Sequence, residues 1–347
     1  MAANPKIVVR FDFPYDPVMD QRFGREADIA LRTCDRQAAD ESTWSDLAEA
    51  HVYLISSAKD ELPRQWFATA ELIARCPKLL CVSASGAGYD TVDVDACTRA
   101  GIIVVNQAGM NAGAVAEHTL GMMLSLSKRI AECDRRLHRE RGFAREEVMG
   151  RDISGKALGL VGIGHIGTRV AKLANAFGMT VLAYDPYVAA EEVVRRGARP
   201  VTLDALLEQA DVVSIHCPRT AETLAMIDAP ALGRMKNGAM LVTTARGGIV
   251  DEAALFAALK SGHLGGAGVD VWEREPPPLQ HPLLTLDNVI ATFHTAGVTV
   301  EARRNMAAQA AEQIVGLLKG DRPPRLVNPE AWPAYRARFG AVMGVPA

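Results

Sequence analysis

Short runs rich in valine, isoleucine and leucine recur along the chain. They cover residues 6 to 11, 51 to 55, 78 to 84, 101 to 106, 157 to 163, 180 to 185, 211 to 217, 239 to 245, 266 to 271 and 288 to 293. Most are continuous rather than alternating, which is typical of strands buried on both faces of a parallel sheet. Stretches with helical spacing lie between them, at 166 to 177, 203 to 208 and 251 to 260. The alternation predicts an α/β fold of doubly wound parallel sheets.

Two longer helical patterns interrupt this rhythm, at about 113 to 137 and about 299 to 319. The second leads into a proline-rich tail, where prolines stop the helix and a short strand is expected to follow. We therefore predict an inner domain at 110 to 298, with an outer domain built from 1 to 109 and 299 to 347. The two long helices are expected to cross between the domains.

Composition narrows the class of protein. The 347 residues are 49% hydrophobic and 23% charged, with a formal net charge of −3, so two globular domains are expected. Lysine and arginine are spread along the chain, which argues against a nucleic-acid or membrane partner and favours small molecules. The beginning of the chain lacks a signal-peptide pattern, and the six cysteines lack metal-site spacing. A cytoplasmic protein with reduced thiols and no metal is the expectation.

One glycine-rich segment carries a specific ligand prediction. Gly162, Gly164 and Gly167 have GxGxxG spacing, follow a strand and open a helix, and Asp185 ends the next strand. This context is the dinucleotide-binding fingerprint, in which glycines permit a tight turn and helix N–H groups face the pyrophosphate. His165 and Ile166, inside the turn, are expected to touch the cofactor. Because the charge of Asp185 would repel a 2′-phosphate, the cofactor is predicted to be NAD rather than NADP.

Three later strand ends carry side chains suited to one reaction. Arg246, Glu275 and His294 each follow a hydrophobic run, and ligands of parallel sheets bind beyond the carboxyl ends of strands. Arginine can hold a carboxylate in bidentate geometry, and histidine can exchange a hydroxyl proton near neutral pH. A neighbouring carboxylate would favour the imidazolium. A single histidine in this position is more often structural, and His216 is a rival that lacks such companions.

Several motifs together resemble one enzyme family. "VGIGHIG", "ARGGIVDEAAL", "GVDVWEREP" and "HTAG" occur in the order found in D-isomer-specific 2-hydroxyacid dehydrogenases, and "GAGYDTVD" and "NAGAVAEHTLGMML" match earlier blocks of that family. The likeness runs from about residue 79 to 300. It implies a Rossmann NAD-binding domain inserted in a flavodoxin-like substrate domain, and a homodimer.

The resemblance also implies residue roles. Arg246 would bind the substrate carboxylate and carbonyl oxygen, His294 would be the acid/base, and Glu275 would tune His294. The outer-domain loop would offer backbone N–H groups of Ala87 and Gly88 to the substrate carboxylate. Further contacts to the cofactor are implied for Thr244, Ala245, Asp270 and Gly297.

Three departures from the family pattern bear on the substrate. Phe293 stands where proline usually precedes the catalytic histidine, which affects the backbone but removes no reacting group. Glu275 speaks against formate dehydrogenases, which have glutamine there. The stretch "LISSAKDELP" offers Ser56, Ser57 and Ala58 where phosphoglycerate enzymes commonly place arginine, and no room is expected for their C-terminal regulatory domain.

The leading hypothesis is an NAD-dependent oxidoreductase that interconverts a D-2-hydroxy acid and its 2-oxo acid, within a cleft that closes over both ligands. D-3-phosphoglycerate dehydrogenase is a narrower alternative. A protein of another class, an NAD-binding regulatory or corepressor-like protein, is the second hypothesis.

Overall fold

The computed structural model describes residues 5 to 37 and 41 to 344. By its internal contacts the chain divides into two compact units. Unit 1 consists of Met1–Asn111 and Thr299–Ala347, and unit 2 of Ala112–Val298. No helix among the described residues is both long enough and apolar enough to cross a membrane.

Unit 1 is built on a parallel sheet of five strands. The strands are β1 (Lys6–Phe11), β2 (Ile29–Cys34), β3 (Val52–Ile55), β4 (Cys81–Ala84) and β5 (Ile103–Val105). Their spatial order is β2-β1-β3-β4-β5, the flavodoxin-like arrangement. The helices are α1 (Val18–Phe23), α2 (Glu41–Glu49), α3 (Ala70–Ala74), α4 (Val94–Arg99) and, from the end of the chain, α12 (Val300–Leu318) and α13 (Trp332–Met343).

Unit 2 is built on a parallel sheet of seven strands. The strands are β6 (Ala157–Val161), β7 (Thr180–Tyr184), β8 (Arg199–Pro200), β9 (Val212–Ile215), β10 (Met240–Thr243), β11 (Gly266–Val269) and β12 (Val289–Ala291). The helices are α5 (Ala112–Ser127), α6 (Ile130–Arg139), α7 (His165–Ala176), α8 (Ala190–Arg195), α9 (Leu203–Gln209), α10 (Ala229–Arg234) and α11 (Glu252–Lys260). The order β12-β11-β10-β9-β6-β7-β8 is the Rossmann order with one added edge strand. The predicted fold class is therefore confirmed.

Each sheet is covered by apolar side chains on both faces, which explains the continuous hydrophobic runs. In β1, Val9 and Phe11 pack into one core and Val8 into another, and all three are fully buried. In unit 2, Leu160 and Val213 likewise belong to the cores on opposite faces of the sheet. Burial of each such side chain contributes about 1.5–3 kcal/mol. The hydrophobic pattern thus fixes which segments become central strands.

The helix predicted at 113 to 137 is wrong in one respect, because two helices occupy this region. α5 ends at Ser127, and Arg129 adopts the left-handed conformation with φ 53° before α6 begins. The guanidinium of Arg129 donates to Glu132 and to the carbonyl oxygen of Glu147. These contacts hold a break that hydrophobic periodicity does not reveal.

The helix expected at 299 to 319 runs from Val300 to Leu318, and the Thr299 hydroxyl caps it by accepting the N–H of Ala302. After it, Leu326 forms an isolated antiparallel bridge with Val105, where a short strand was expected. The final helix, α13, was not predicted.

Candidate active site and dinucleotide-binding turn

The glycine-rich turn after β6 depends on glycine at two positions. Gly162 has φ 95°, and a Cβ atom there would lie 2.7 Å from the backbone nitrogen of Cys217. A Cβ atom at Gly167 would lie 2.3 Å from the carbonyl oxygen of Gly162. Neither clash can be relieved by moving a flexible side chain, because both involve backbone atoms. The turn therefore packs tightly onto the end of β9 and onto itself.

The beginning of α7 has the properties of an anion site. The N-cap residue, Gly164, provides no side-chain cap, and a Cβ atom there would meet nothing within 4 Å. The first-turn N–H groups of an α-helix lack partners within the helix and carry the positive end of its dipole. His165 is exposed and Ile166 is half-buried beside this turn. The open, uncapped helix start fits a pyrophosphate group.

Asp185 ties the end of β7 to the glycine turn. Its two carboxylate oxygens accept the backbone N–H groups of Ile163 at 3.0 Å and Tyr187 at 3.1 Å. Each oxygen keeps a further lone pair for a hydroxyl donor. Arg196 was missed by the sequence reasoning, although its guanidinium donates to the carbonyl oxygen of Ile163 at 2.6 Å. The side chains of Asp185 and Arg196 thus fix both backbone groups of Ile163.

Glu275 and His294 form a hydrogen-bonded pair. The loops after β11 and β12 bring His294 Nδ1 within 2.9 Å of Glu275 Oε2, while Glu275 Oε1 accepts the N–H of Trp272 at 3.1 Å. The His294 side chain is 36% exposed and the Glu275 side chain 22%, so the pair lies at the surface of unit 2 without being fully solvated. The two residues predicted to act together are therefore brought together.

The charges around this pair favour its ionised form. The hydrogen bond that His294 donates to Glu275 raises the pKa of His294 above its ordinary value, against the smaller opposing effect of burial. Burial raises the pKa of Glu275, but the hydrogen bond and charge of His294 outweigh this effect and the pKa is lowered overall. Arg246 contributes a charge that lowers the pKa of both groups. The imidazole is consequently a stronger base than an isolated histidine.

Arg246 follows β10 and lies close to the pair. Its Nη1 donates to the carbonyl oxygen of Ala245 at 2.7 Å. A Cβ atom at Gly247 would overlap the backbone of Trp272, so the loops after β10 and β11 are in direct contact. Thr244, at the same strand end, is buried with its Oγ1 3.3 Å from Thr119 Oγ1. The sequence reasoning missed Gly247, which lets the Arg246 loop approach the Glu275 loop.

Asp270 holds the turn that carries His294. Its buried carboxylate accepts the Thr292 hydroxyl and the N–H groups of Thr295 at 2.8 Å and Ala296 at 3.0 Å. Its carbonyl oxygen accepts the N–H of His294 at 2.6 Å. These bonds secure His294 in a left-handed conformation, φ 48°, without a preceding proline.

The same turn presents Phe293 and Gly297 and contacts a further histidine. Phe293 is 46% exposed, and Gly297 is half-buried. His118 on α5 places Nε2 3.2 Å from Thr292 Oγ1 and 3.9 Å from Asp270. His118 therefore supports the turn, a role that no sequence pattern indicated.

His216 is not a rival for proton transfer. It is half-buried, its Nε2 lies 2.9 Å from Ser214 Oγ, and desolvation lowers its pKa to about 4. A histidine with this pKa stays neutral near neutral pH and has no carboxylate partner here. These properties favour a structural or cofactor-adjacent role over proton transfer.

In unit 1, the loop after β4 turns its carbonyl groups towards β5. The carbonyl oxygen of Ala87 accepts Asn106 Nδ2 at 2.8 Å, and that of Gly86 accepts the N–H of Gln107 at 2.8 Å. Within the described residues, the N–H groups of Ala87 and Gly88 form no hydrogen bond. The loop thus offers two backbone donors at the carboxyl edge of the sheet.

Comparisons with known proteins agree with this geometry. Residues 120 to 296 match the family model described as D-isomer specific 2-hydroxyacid dehydrogenase, NAD binding domain. The chain is 43% identical over 251 residues to a D-3-phosphoglycerate dehydrogenase of Archaeoglobus fulgidus, a match covering 72% of this chain and 47% of the relative. It is 40% identical over 264 residues to a glyoxylate reductase of Korarchaeum cryptofilum, covering 75% and 80%.

A solved structure extends the likeness over nearly the whole chain. The D-lactate dehydrogenase of Aquifex aeolicus, determined with NAD and lactic acid, superposes with a TM-score of 0.79 and 30% identity over 92% of this chain and 98% of that one. The chain spans about half the length of the phosphoglycerate dehydrogenases that it matches. The uncapped start of α7, the glycine turn and Asp185 fit the NAD for which the matched domain is described. The chain belongs to the D-isomer-specific 2-hydroxyacid dehydrogenase family.

Proposed function

We propose that this protein interconverts a D-2-hydroxy acid and its 2-oxo acid with NAD as hydride acceptor. The observation that carries the proposal is the 2.9 Å hydrogen bond between Glu275 and His294, on the sheet whose first strand ends in the dinucleotide turn. A histidine and a carboxylate in this arrangement form an acid/base pair. The family resemblance supports the same assignment.

The pair defines which nitrogen exchanges the proton. Because Glu275 accepts the proton of Nδ1, neutral His294 presents the lone pair of Nε2. Nε2 takes the hydroxyl proton when the hydroxy acid is oxidised, and the imidazolium returns it to the carbonyl oxygen when the oxo acid is reduced. The glycine turn and Asp185 would hold NAD, which would supply hydride transfer to and from the hydroxyl-bearing carbon.

Arg246 is proposed to bind the substrate carboxylate and the carbonyl oxygen. A guanidinium can hold both through parallel hydrogen bonds, and its charge stabilises negative charge that develops on that oxygen. The N–H groups of Ala87 and Gly88 are proposed as further donors to the carboxylate. The residues proposed to line the cofactor are Thr244, Ala245, Asp270 and Gly297. Asp270 would act indirectly, by holding the turn that carries His294.

Spectrophotometry with NADH and a panel of 2-oxo acids tests the proposal. The panel contains glyoxylate, hydroxypyruvate, phosphohydroxypyruvate, and branched and aromatic 2-oxo acids. We expect NADH absorbance to fall with at least one of them. If the whole panel is inert while NADH binding is intact, the proposed activity is refuted; turnover of phosphohydroxypyruvate alone would favour the narrower phosphoglycerate assignment.

Replacing His294 by Ala separates an enzyme from a cofactor-sensing protein. Loss of the proton carrier should lower kcat about 10²- to 10⁴-fold. NADH affinity should stay within about twofold, because His294 takes no part in the glycine turn. Steady-state rates and fluorescence titration with NADH measure the two quantities. A variant that retains wild-type turnover would exclude His294 as the acid/base.

A further inference from the structure

The loop after β1 contains a buried hydroxyl group without a partner. Within the described residues, Tyr15 Oη is inaccessible to solvent and forms no hydrogen bond. Burial raises the pKa of Tyr15 far above its ordinary value, so the group stays protonated and can donate. A buried polar group that lacks a partner costs free energy, and such groups are rare in folded proteins. The position therefore points to a ligand.

An arginine of α12 also lacks a partner within the described residues. Arg303, in the first turn of α12, is half-buried, and its charge acts on Tyr15. Its guanidinium forms neither a hydrogen bond nor an ion pair with any residue in 5 to 37 or 41 to 344. Arg10, whose guanidinium lies 5.0 Å from the centre of the Tyr15 ring, is instead held by both carboxylate oxygens of Asp20. Of the two arginines whose charges act on Tyr15, Arg303 is therefore the one without a partner in the described part of the chain.

Packing links α12 to the loop after β4. Ser57, in the loop after β3, accepts the N–H of Gly86 at 2.7 Å. A Cβ atom at Gly86 would lie 2.9 Å from Ser57 Oγ and 4.0 Å from the sulfur atom of Met306. Met306 lies three residues after Arg303 and hence on the same side of α12. The Arg303 side of α12 therefore faces the loop that bears the free N–H groups of Ala87 and Gly88.

A negative charge also acts on the Tyr15 hydroxyl. Glu61 acts on the titration of Tyr15, and its Oε2 accepts the hydroxyl of Ser56 at 2.5 Å. It forms no ion pair with Arg303. The charge of Glu61 opposes a bound anion there, so its removal should strengthen anion binding.

We propose that Arg303 and the Tyr15 hydroxyl bind a second oxyanionic group, a carboxylate or a phosphate, on the side chain of the 2-oxo acid. Both groups are donors, and a guanidinium suits the planar oxygens of either anion. Arg303 would supply, from α12, the guanidinium that the loop at Ser56 and Ser57 lacks. This inference rests on the proposed function.

Matched substrates test it. The pairs are 2-oxoglutarate with 2-oxopentanoate, and phosphohydroxypyruvate with hydroxypyruvate, which differ in the distal anion and separate a carboxylate from a phosphate. The measured quantity is the ratio of kcat/KM within each pair. In at least one pair, we expect the substrate with the distal anion to be preferred about tenfold or more. If the substrate without the distal anion is preferred in both pairs, the inference is overturned while the proposed function stands.

Variants assign the preference to residues. R303Q should reduce the ratio about 10- to 100-fold, and Y15F about threefold, as expected for charged and neutral hydrogen bonds. E61Q should raise it. R304Q is the matched control, because Arg304 is exposed on the next position of the same helix, and it should leave the ratio within twofold. An unchanged ratio in R303Q, with an unchanged melting temperature, would overturn the inference.

A binding measurement keeps the two proposals distinguishable if none of the four acids is turned over. N-oxalylglycine and N-ethyloxamate are unreactive analogues that differ in the distal carboxylate. Calorimetry with the full chain saturated with NADH should show tighter binding of N-oxalylglycine, and R303Q should abolish the difference. Equal affinities would refute the Arg303 site; tighter binding without turnover would retain the site and refute the activity.

Discussion

The pair formed by Glu275 and His294 shows how single residues gain chemistry from their neighbours. Without its partner, burial would raise the pKa of Glu275 and lower that of His294. The 2.9 Å hydrogen bond raises the pKa of His294 and, against the effect of burial, lowers that of Glu275. Histidine basicity here is therefore a property of the pair and should change when the partner changes.

Replacing Glu275 by Gln should move the pH profiles of both oxidation and reduction to lower pH. In the proposed mechanism, oxidation requires neutral His294, so its rate rises with pH through the pKa of His294. Reduction requires the imidazolium, so its rate falls there. Without the carboxylate this pKa drops, and both limbs shift to the acid side. Initial rates from pH 5 to 10 measure the shift. E273Q is the control, since Glu273 is exposed two residues away, and unmoved limbs in E275Q would contradict the assignment.

The same pair should affect stability over a defined pH window. The raised pKa of His294 stabilises the folded state at pH values below 6.5, the ordinary pKa of histidine. This contribution is lost as pH rises through the pKa of His294 in the folded state. The lowered pKa of Glu275 stabilises it above 4.5, and this contribution is lost as pH falls through the folded pKa. E275Q should therefore lower the melting temperature most between about pH 4.5 and 6.5 and less outside that range. A pH-independent difference would contradict the linkage.

At the level of elements, the turn between β6 and α7 contains glycines that are present for two different reasons. At Gly167 a side chain would collide with backbone, so glycine is needed for the element to pack. At Gly164 a side chain would meet only open space, so glycine there keeps the helix start open to a ligand such as a pyrophosphate. The sequence motif alone does not distinguish these reasons.

Two alanine variants make this distinction measurable. G167A should lower the free energy of unfolding by about 1–3 kcal/mol through overpacking, and weaken NADH binding with it. G164A should change the free energy of unfolding by less than about 0.5 kcal/mol, yet weaken NADH binding at least about tenfold. Urea unfolding and fluorescence titration give the two quantities. Normal NADH affinity in G164A would argue against a pyrophosphate at this helix start.

For the whole molecule, the division into two units gives each its own cores. The two core clusters of unit 2 contain no residue of unit 1, and the reverse also holds. A compact unit with its own core can fold alone. The expected homodimer stays a prediction at this scale.

A fragment of residues 112 to 298 should therefore fold cooperatively and bind NADH within about tenfold of the full chain, but catalyse no reaction, because it lacks the proposed substrate donors Ala87 and Gly88. Trp272 is the single tryptophan of this fragment and gives a fluorescence signal for both unfolding and binding. The same fragment carrying G164A is the control for specific binding. A fragment that does not unfold cooperatively would show that the unit needs the rest of the chain.

The sequence by itself determined the features that depend on local pattern. Continuous apolar runs become central strands because both faces of a parallel sheet are buried, and the spacing of Gly162, Gly164 and Gly167 predicts a turn because few residues tolerate such backbone geometry. The types Arg246, Glu275 and His294 indicated hydride transfer on a hydroxy acid because each follows a strand that ends at the same edge.

Only the tertiary structure decided which side chains touch. The contact of Gly247 with Trp272, the support of the His294 turn by Asp270 and His118, and the action of the Arg303 charge on Tyr15 join segments far apart in sequence. The break at Arg129 likewise depends on contacts with Glu132 and with the backbone of Glu147. Such contacts follow from strand register, loop packing and side-chain direction, which a periodic pattern of hydrophobic residues does not encode.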